Sequence, residues 1–373
     1  MRVIHLIDSS GYYGAERVLL ELLAAQRAAG VDALLISHGS AGCGPKAIER
    51  EAEARQLPLQ IWRGHFVRRL RQLLAASDEQ TVLHSHGYKF NVPLALLPRR
   101  CTVVATVHGF TELRLSRKMG IYALLDRWAL RRLDGAAFVA AKVAADAQIH
   151  VDGQCYQQIA NGIDAALPAL QPLPASLAAA IAGKQVVLSL GRLSPEKGLD
   201  LLLRAFARLC PELPQALLVI AGEGGLHQSL AALAAELGIS ARVHFAGYVA
   251  AADSLLAAAQ LLAQPSWTEG MPMTVLEAMR RGTPVVATAV GAMPELLGPQ
   301  QGEGAAGVLI AVGDEQALAA AIRRLLQSPA EALALGQQAQ QRFVRHYSSA
   351  AMAQRYLAFY HQCRSRGRKV SST

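Results

Sequence analysis

A chain of 373 residues, 52% hydrophobic and 17% charged, is too apolar for disorder and long enough for two domains of ordinary size. Its five cysteines are odd in number and scattered without a C-x-x-C pair, which argues against a disulfide framework or zinc site and fits a reducing cytoplasm. The net charge is +9, and the window Arg63–Arg132 alone carries 13 Lys/Arg against 4 Asp/Glu. That concentration points to an anionic partner for the N-terminal half, or to a solvated basic face.

The first residues, MRVIHLIDSS, read as a strand and not as a secretory signal, because the apolar run soon meets Asp8. Further strands are expected at Ala33–Ser37, Thr81–His84, Thr102–Val107 and Ala136–Ala140. Helical patterns such as Ala15–Ala29 fill the gaps. The window Trp62–Leu74, WRGHFVRRLRQLL, places Phe66, Leu70, Leu73 and Leu74 on one face of a helix, with Arg68, Arg69 and Arg71 on its flanks. A core-packed helix and one lying at a membrane surface both have this pattern. Arg114, Arg117 and Lys118 form a second basic cluster. No apolar stretch approaches the roughly 18–20 residues that cross a bilayer, so membrane contact is expected only from the surface.

Three prolines in Leu167–Pro174 interrupt the rhythm and read as a linker. Beyond it, strands are expected at Gln185–Leu190, Ala216–Ala221, Arg242–Ala246, Leu261–Gln264, Pro284–Thr288 and Val308–Ile310, with a helix at Leu199–Leu209. Continuous apolar strands alternating with helices predict doubly wound α/β domains with parallel sheets. The expected division is 1–166, a linker over 167–183, 184–346, and a C-terminal segment 347–373 whose helix crosses back to the first domain. Two such sheets would face a shared cleft, since ligands bind at the carboxyl ends of parallel strands.

Two stretches carry chemistry. In Pro265–Met279 a strand ends at Gln264, a Gly/Pro turn follows, and a helix begins near Pro272–Thr274. Glu269 falls in the loop and Glu277 about one turn into the helix. Free amides at a helix start suit phosphate, and carboxylates accept hydrogen bonds from sugar hydroxyls. Otherwise Glu269 is a loop charge and Glu277 a favourable first-turn acid. In Leu188–Leu199 a strand runs into Gly191 and Arg192, and Lys197-Gly198 opens the next helix. Two cations there grip a diphosphate and neutralise a phosphate leaving group; the bland alternative is a surface loop.

These stretches resemble the retaining GT-B glycosyltransferases of family 4, through Glu269-x7-Glu277 and Gly191-Arg192…Glu-Lys197-Gly. Gly-Tyr-Tyr-Gly14-Ala-Glu, His84-Ser-His86-Gly, Val-His108-Gly and Asn161-Gly-Ile-Asp164 extend the resemblance over nearly the whole chain. It implies a GT-B fold and transfer of a hexose-type sugar from a nucleotide-diphosphate donor to a glycan or lipid-linked acceptor in cell-surface polysaccharide synthesis. Glu277 would then hold the ribose, Glu269 and the backbone of Met271, Pro272, Met273 and Thr274 the donor sugar, and Arg192 and Lys197 the diphosphate. Gly14 and Gly191 would admit backbone near the donor, and Tyr248 and Val249 would line the base pocket. His108 would lie by the anomeric centre, with His86, Lys89 and Arg114 on the acceptor side. Met271 and Met273 replace residues that are often Phe, Leu or Gly in the family, which leaves the donor sugar open.

No metal or other cofactor is expected: His84, His86 and His108 lack an acidic ligand at fixed spacing, and no D-x-D cluster is present. Gly222-Glu-Gly-Gly225 is not a dinucleotide fingerprint. Nucleic acid is not an expected partner; an anionic membrane surface is, for a cytoplasmic protein held at the inner face of the cell membrane. A nucleotide-sugar epimerase, a phosphorylase and a non-catalytic nucleotide-sugar-binding protein are the alternatives.

Overall fold

The computed structural model describes residues 1–9, 11–109, 117–152, 155–300 and 302–370. The chain forms two compact units, one of Met1–Asp164 with Tyr347–Thr373, the other of Ala165–His346. In the first, seven strands are β1 Arg2–Ile7, β2 Asp32–Gly39, β3 Leu59–Arg63, β4 Thr81–Ser85, β5 Thr102–Val107, β6 Gly135–Phe138 and β7 Tyr156–Gln158. They pair in parallel in the order β3-β2-β1-β4-β5-β6-β7. In the second, β8 Gln185–Leu190, β9 Ala216–Ala221, β10 Val243–Gly247, β11 Leu261–Gln264, β12 Val285–Thr288 and β13 Val308–Ile310 run parallel in the order β10-β9-β8-β11-β12-β13.

Each sheet is Rossmann-like, and in each the strand order reverses at one place, between β1 and β4 and between β8 and β11. A crevice opens there, because the connections on either side leave in opposite directions. The central strands are apolar on both faces, as β9 shows: Ala216–Ala221 is wholly buried. Leu202, Phe206, Leu218, Ile220, Leu261, Val286 and Ile322 fill the core of the second unit.

The structure departs from the sequence expectation in three places. Trp62 and Arg63 belong to strand β3, and the helix after it begins only at Phe66. Within the expected linker, Ala175–Ile181 is helical and belongs to the second unit; Pro174 stands at its N-cap, where a missing amide costs nothing. Strands β3 and β7 were not anticipated.

The helix Phe66–Ala76 turns its apolar stripe inward. Leu70 and Leu74 are buried, and Phe66 packs its ring 4.8 Å from His38 and 5.0 Å from Phe90. Arg63 is engaged with Glu49 at 2.5 Å, while Arg68 and Arg71 remain exposed. The apolar face that a bilayer would need is therefore taken up by the core.

The C-terminal helix Ser349–Val370 belongs to the first unit. Its entry is tied to the Asn161–Asp164 turn: Ile163 donates to Tyr347 O at 3.1 Å, and Ser349 donates to Ile163 O at 2.7 Å. A side chain at Gly162 would put its Cβ 2.5 Å from Ser348 O, so this crossing requires glycine. Further along, buried Tyr356 and Tyr360 bond to Thr106 at 2.8 Å and to His84 Nδ1 at 2.8 Å, fastening the helix to β4 and β5. Tyr360→Phe is expected to lower stability by about 1–3 kcal/mol, the cost of orphaning buried polar groups, read as a shift in urea midpoint at unchanged m-value.

Candidate functional site

In the second unit, the loops after β8 and β11 meet at the reversal of strand order. Backbone packs against backbone there. A Cβ on Gly222 would lie 1.8 Å from Gly191 O, and one on Gly198, whose φ is +62°, 2.2 Å from Pro265 O. Trp267 donates to Glu196 O at 2.8 Å, which ties the two loops together. On this rigid frame Lys197 Nζ reaches Glu269 Oε1 at 2.7 Å. Ser266 Oγ and Gln264 Nε2 donate to the same oxygen at 2.7 and 3.0 Å. Three donors on Oε1 leave Oε2 for a further donor, such as a sugar hydroxyl. Gln264 and Ser266 were not anticipated, although they lie five and three positions before Glu269 in the sequence.

Arg192 and Lys197 line one recess with Ser189, Leu190, Gly191, Leu199, Ile220 and Gln264. They are not equivalent. Lys197 is held by Glu269 with 18% of its side chain exposed, whereas Arg192 is 56% exposed and donates to Glu196 at 3.3 Å. Burial works against the charge on Glu196, but hydrogen bonds from Ser194 and the backbone, with Arg192 and Lys197 close by, hold its carboxyl below the usual range.

The helix Met273–Arg281 starts where the sequence placed it, with Pro272 as N-cap and no side-chain cap on its first amides. Met271, Pro272 and Met273 are buried and Thr274 is partly exposed, so this segment offers its backbone amides more readily than its side chains. Glu277 is 2% exposed on the inner face of the helix. Tyr248 is 74% exposed after β10, and neighbouring Val249 is buried.

In the first unit, the other reversal of strand order holds neutral rings. His86 follows β4 and half-buried His108 follows β5; their nitrogens, Nδ1 and Nε2, lie 3.5 Å apart. His86 Nε2 is 3.0 Å from His5 Nδ1, and His5 Nε2 is 2.8 Å from Gln26 Oε1. Gln26 Nε2 donates to Tyr360 at 3.1 Å, Tyr360 meets His84 Nδ1, and His84 Nε2 lies 2.7 Å from Thr106 Oγ1. Burial pushes His5 and His108 down to about 4 and His84 and His86 well below 6.5, in the latter pair with help from neighbouring histidines. Neutral imidazoles carry one donor and one acceptor each. With Gln26 Oε1 accepting from His5, the ring protons assigned from this network run from His108 inward, which leaves His108 Nδ1 as an acceptor. Sequence spacing pointed to His84, His86 and His108, but not to His5 or Gln26.

Among the described residues, His5, His84 and His86 are the cluster able to hold a metal ion, with donor atoms within 4.8 Å of one another. Both nitrogens of His5 and His84 already serve the hydrogen-bond chain, so coordination would dismantle it. Lys89 sits at the first turn of helix Tyr88–Leu96, 3.3 Å from Asp8. Burial opposes the charge of Asp8, yet bonds from His38 and Lys46, each at 3.0 Å, keep its carboxyl below the usual range. Gly14 is exposed at the start of helix Gly14–Ala28. Arg114 lies outside the described residues.

Two parallel sheets of this order, one with cations and carboxylates at its reversal point, define a GT-B protein. Family models agree along the chain: Glycosyltransferase Family 4 matches residues 12–167 and Glycosyl transferases group 1 matches residues 178–342. The chain belongs to the GT-B glycosyltransferases of the family 4 type. It is 36% identical over 176 residues to the MMP alpha-(1->4)-mannosyltransferase of Mycolicibacterium hassiacum, covering 46% of this chain and 41% of that protein. It is 32% identical over 174 residues to the lipopolysaccharide core biosynthesis glycosyltransferase LpsE of Rhizobium meliloti, covering 46% and 48%. The matches thus span less than half the length of these relatives. The structure of Anabaena HepE in complex with UDP superposes with a TM-score of 0.79, at 22% identity and 100% coverage of both chains, a likeness of fold.

The buried histidines set a pH dependence. An unfolded histidine titrates near 6.5, whereas in the folded chain burial keeps His5 and His108 neutral down to about 4 and holds His84 and His86 well below 6.5. Their stability contribution is full above 6.5 and is lost as pH falls, because the unfolded chain then binds more protons. Asp126, which burial raises to about 6, opposes this in part. Urea midpoints should therefore fall between pH 7 and pH 4.5, with a shallower slope for His86→Gln.

Proposed function

We propose that this protein is a retaining, metal-independent glycosyltransferase. It transfers a hexose-type sugar from a nucleotide-diphosphate donor to a glycan or lipid-linked acceptor in cell-surface polysaccharide synthesis. The supporting observation is the pair of loops at the β8/β11 reversal: Arg192 and Lys197 line one recess, Lys197 meets Glu269, whose second oxygen is left for a ligand, and the loop that carries Glu269 leads into a helix start without a side-chain cap. Anionic diphosphate, hydroxyl-rich sugar and ribose need those groups.

In this reading Arg192 and Lys197 take the diphosphate, Gly191 lets the chain approach it, and Glu269 with the amides after Met271 takes the sugar. Glu277 holds the ribose, and Tyr248 and Val249 border the base. The first unit receives the acceptor, and His108 Nδ1 accepts a hydrogen bond that orients a sugar hydroxyl, without taking its proton. Retention follows from front-face attack, in which the departing phosphate takes the acceptor's proton as the cations stabilise its growing charge. Metal independence follows from the same two cations, which supply the charge that a divalent ion would otherwise bring. HepE has been captured with UDP-glucose, and LpsE acts in lipopolysaccharide core synthesis, which favours a nucleotide-sugar donor and an envelope glycan. A lipid-linked acceptor would place the enzyme peripherally at the inner face of the cell membrane; no described helix is long and apolar enough to cross one.

Thermal shifts with UDP-glucose, GDP-mannose and ADP-glucose will identify the donor by mass action. NMR of the product formed in excess EDTA then reads both remaining points. An α-linked product from an α-linked donor is expected, at an undiminished rate. An inverted anomeric centre, or loss of turnover restored by manganese, refutes the reading. In the same assay, Arg192→Ala and Lys197→Ala should each lower kcat/KM by roughly 10²–10³, the scale of one preorganised donor. Glu277→Ala should instead weaken inhibition by free nucleoside diphosphate.

A further inference from the structure

The helix Arg117–Leu130 carries an apolar stripe on its outer side. Ile121, Leu124 and Leu125, spaced i, i+3, i+4, are 61%, 65% and 41% exposed, and Trp128 continues the stripe at i+7. The opposite face, Ala123, Asp126, Ala129 and Leu130, is buried, and Asn91 donates to Asp126 at 2.7 Å. The core thus already has its own face of this helix, and the outer stripe is a second one. Large aliphatics grouped this way on a surface mark an interaction site.

The charge around the stripe says what covers it. From Arg117 to Arg132 the sequence holds Arg117, Lys118, Arg127, Arg131 and Arg132, and its one acid, Asp126, is buried. Arg131 and Arg132 are exposed, and the Arg132 guanidinium lies 4.7 Å from the Trp128 ring centroid. The neighbouring helices belong to the same layer: the Tyr88 and Tyr122 rings meet at a tilt with centroids 5.5 Å apart, and Phe90 meets Phe66 edge-on at 5.0 Å. That layer adds exposed Arg68 and Arg71. An apolar strip between basic ends matches a lipid surface with anionic headgroups, each nearby cation contributing about 1 kcal/mol.

We propose that the outer face of helix Arg117–Leu130 docks the first unit onto an anionic membrane surface, with Ile121, Leu124, Leu125 and Trp128 entering the headgroup boundary. The proposal builds on the lipid-linked acceptor above and moves the docking element away from helix Phe66–Ala76, whose apolar stripe is buried.

Co-sedimentation of the full chain with vesicles of phosphatidylcholine plus phosphatidylglycerol, against phosphatidylcholine alone, tests it. Binding should require the anionic lipid and weaken in high salt. Combined Ile121→Asn, Leu124→Asn and Leu125→Asn should weaken partitioning roughly tenfold or more. Because the three side chains are exposed, their replacement should leave the melting temperature unchanged. Vesicles should shift tryptophan emission to the blue in the parent and not in Trp128→Phe. Equal recovery with both vesicle types overturns the proposal, as does undiminished binding by the triple variant. So does a concentration-dependent dimer that the triple variant abolishes, since the stripe would then belong to a second copy of the chain. Turnover of the triple variant on a soluble acceptor separates loss of docking from failure of the catalytic reading.

Discussion

At the carboxyl edge of β8, β9, β11 and β12, main chain rests on main chain with no room for a side chain between. Gly222 sits on Gly191, Gly198 on Pro265, and Gly291 would bring a Cβ within 2.2 Å of Glu269 O. Ala292 N donates to Gly270 O at 2.9 Å and closes the frame. Because four loops share these contacts, none moves without the others. Lys197 and Glu269, 72 residues apart, consequently meet at hydrogen-bond distance on a scaffold stiff enough to keep them there. A group held in this way loses little freedom when a ligand arrives, which is how electrostatic complementarity becomes effective.

The same topology serves a different chemistry in the first unit. Its reversal point between β1 and β4 is lined by imidazoles kept neutral by burial and by a chain of hydrogen bonds ending on two tyrosines of the C-terminal helix. Three of its links, to Gln26, His84 and Thr106, come from the helix that leaves the second unit's sequence and returns to the first. Polar groups buried this deeply are costly when unpaired, so the chain is worth keeping only as a whole. It gives His108 a defined proton arrangement at the end of β5.

Charge is distributed on a third principle. The basic surplus of the N-terminal half is partly spent inside the unit, as Lys46 on Asp8 and Arg63 on Glu49. Others, among them Arg68, Arg71 and Arg132, stand exposed on one layer beside aliphatic side chains that the core did not need. Two uses of the same residue type, internal pairing and external display, lie next to each other in sequence and differ only in what packs over them.

The central strands were legible in the sequence because a strand covered on both faces is mostly apolar: β9 is so throughout, and β1, β4, β5, β8 and β11 keep an apolar run interrupted by polar residues such as His5, His84, Thr106 and Gln264. Glu269, Arg192 and Lys197 were legible for a related reason: each lies where a strand pattern stops and a helix pattern begins. Edge strands β3 and β7 were not. Leu59–Arg63 is only partly buried, and Tyr156–Gln158 is short and polar, so each becomes a strand only by pairing with a neighbour already in place. His5 and Gln26 joined the site through bonds to His86 and Tyr360, 81 and 334 residues away. The amphipathic period of Phe66–Ala76 and the apolar residues of Arg117–Leu130 could each have faced protein or solvent. A helical stripe specifies that something apolar covers it, and only the packing of other elements decides whether that cover is the protein's own core.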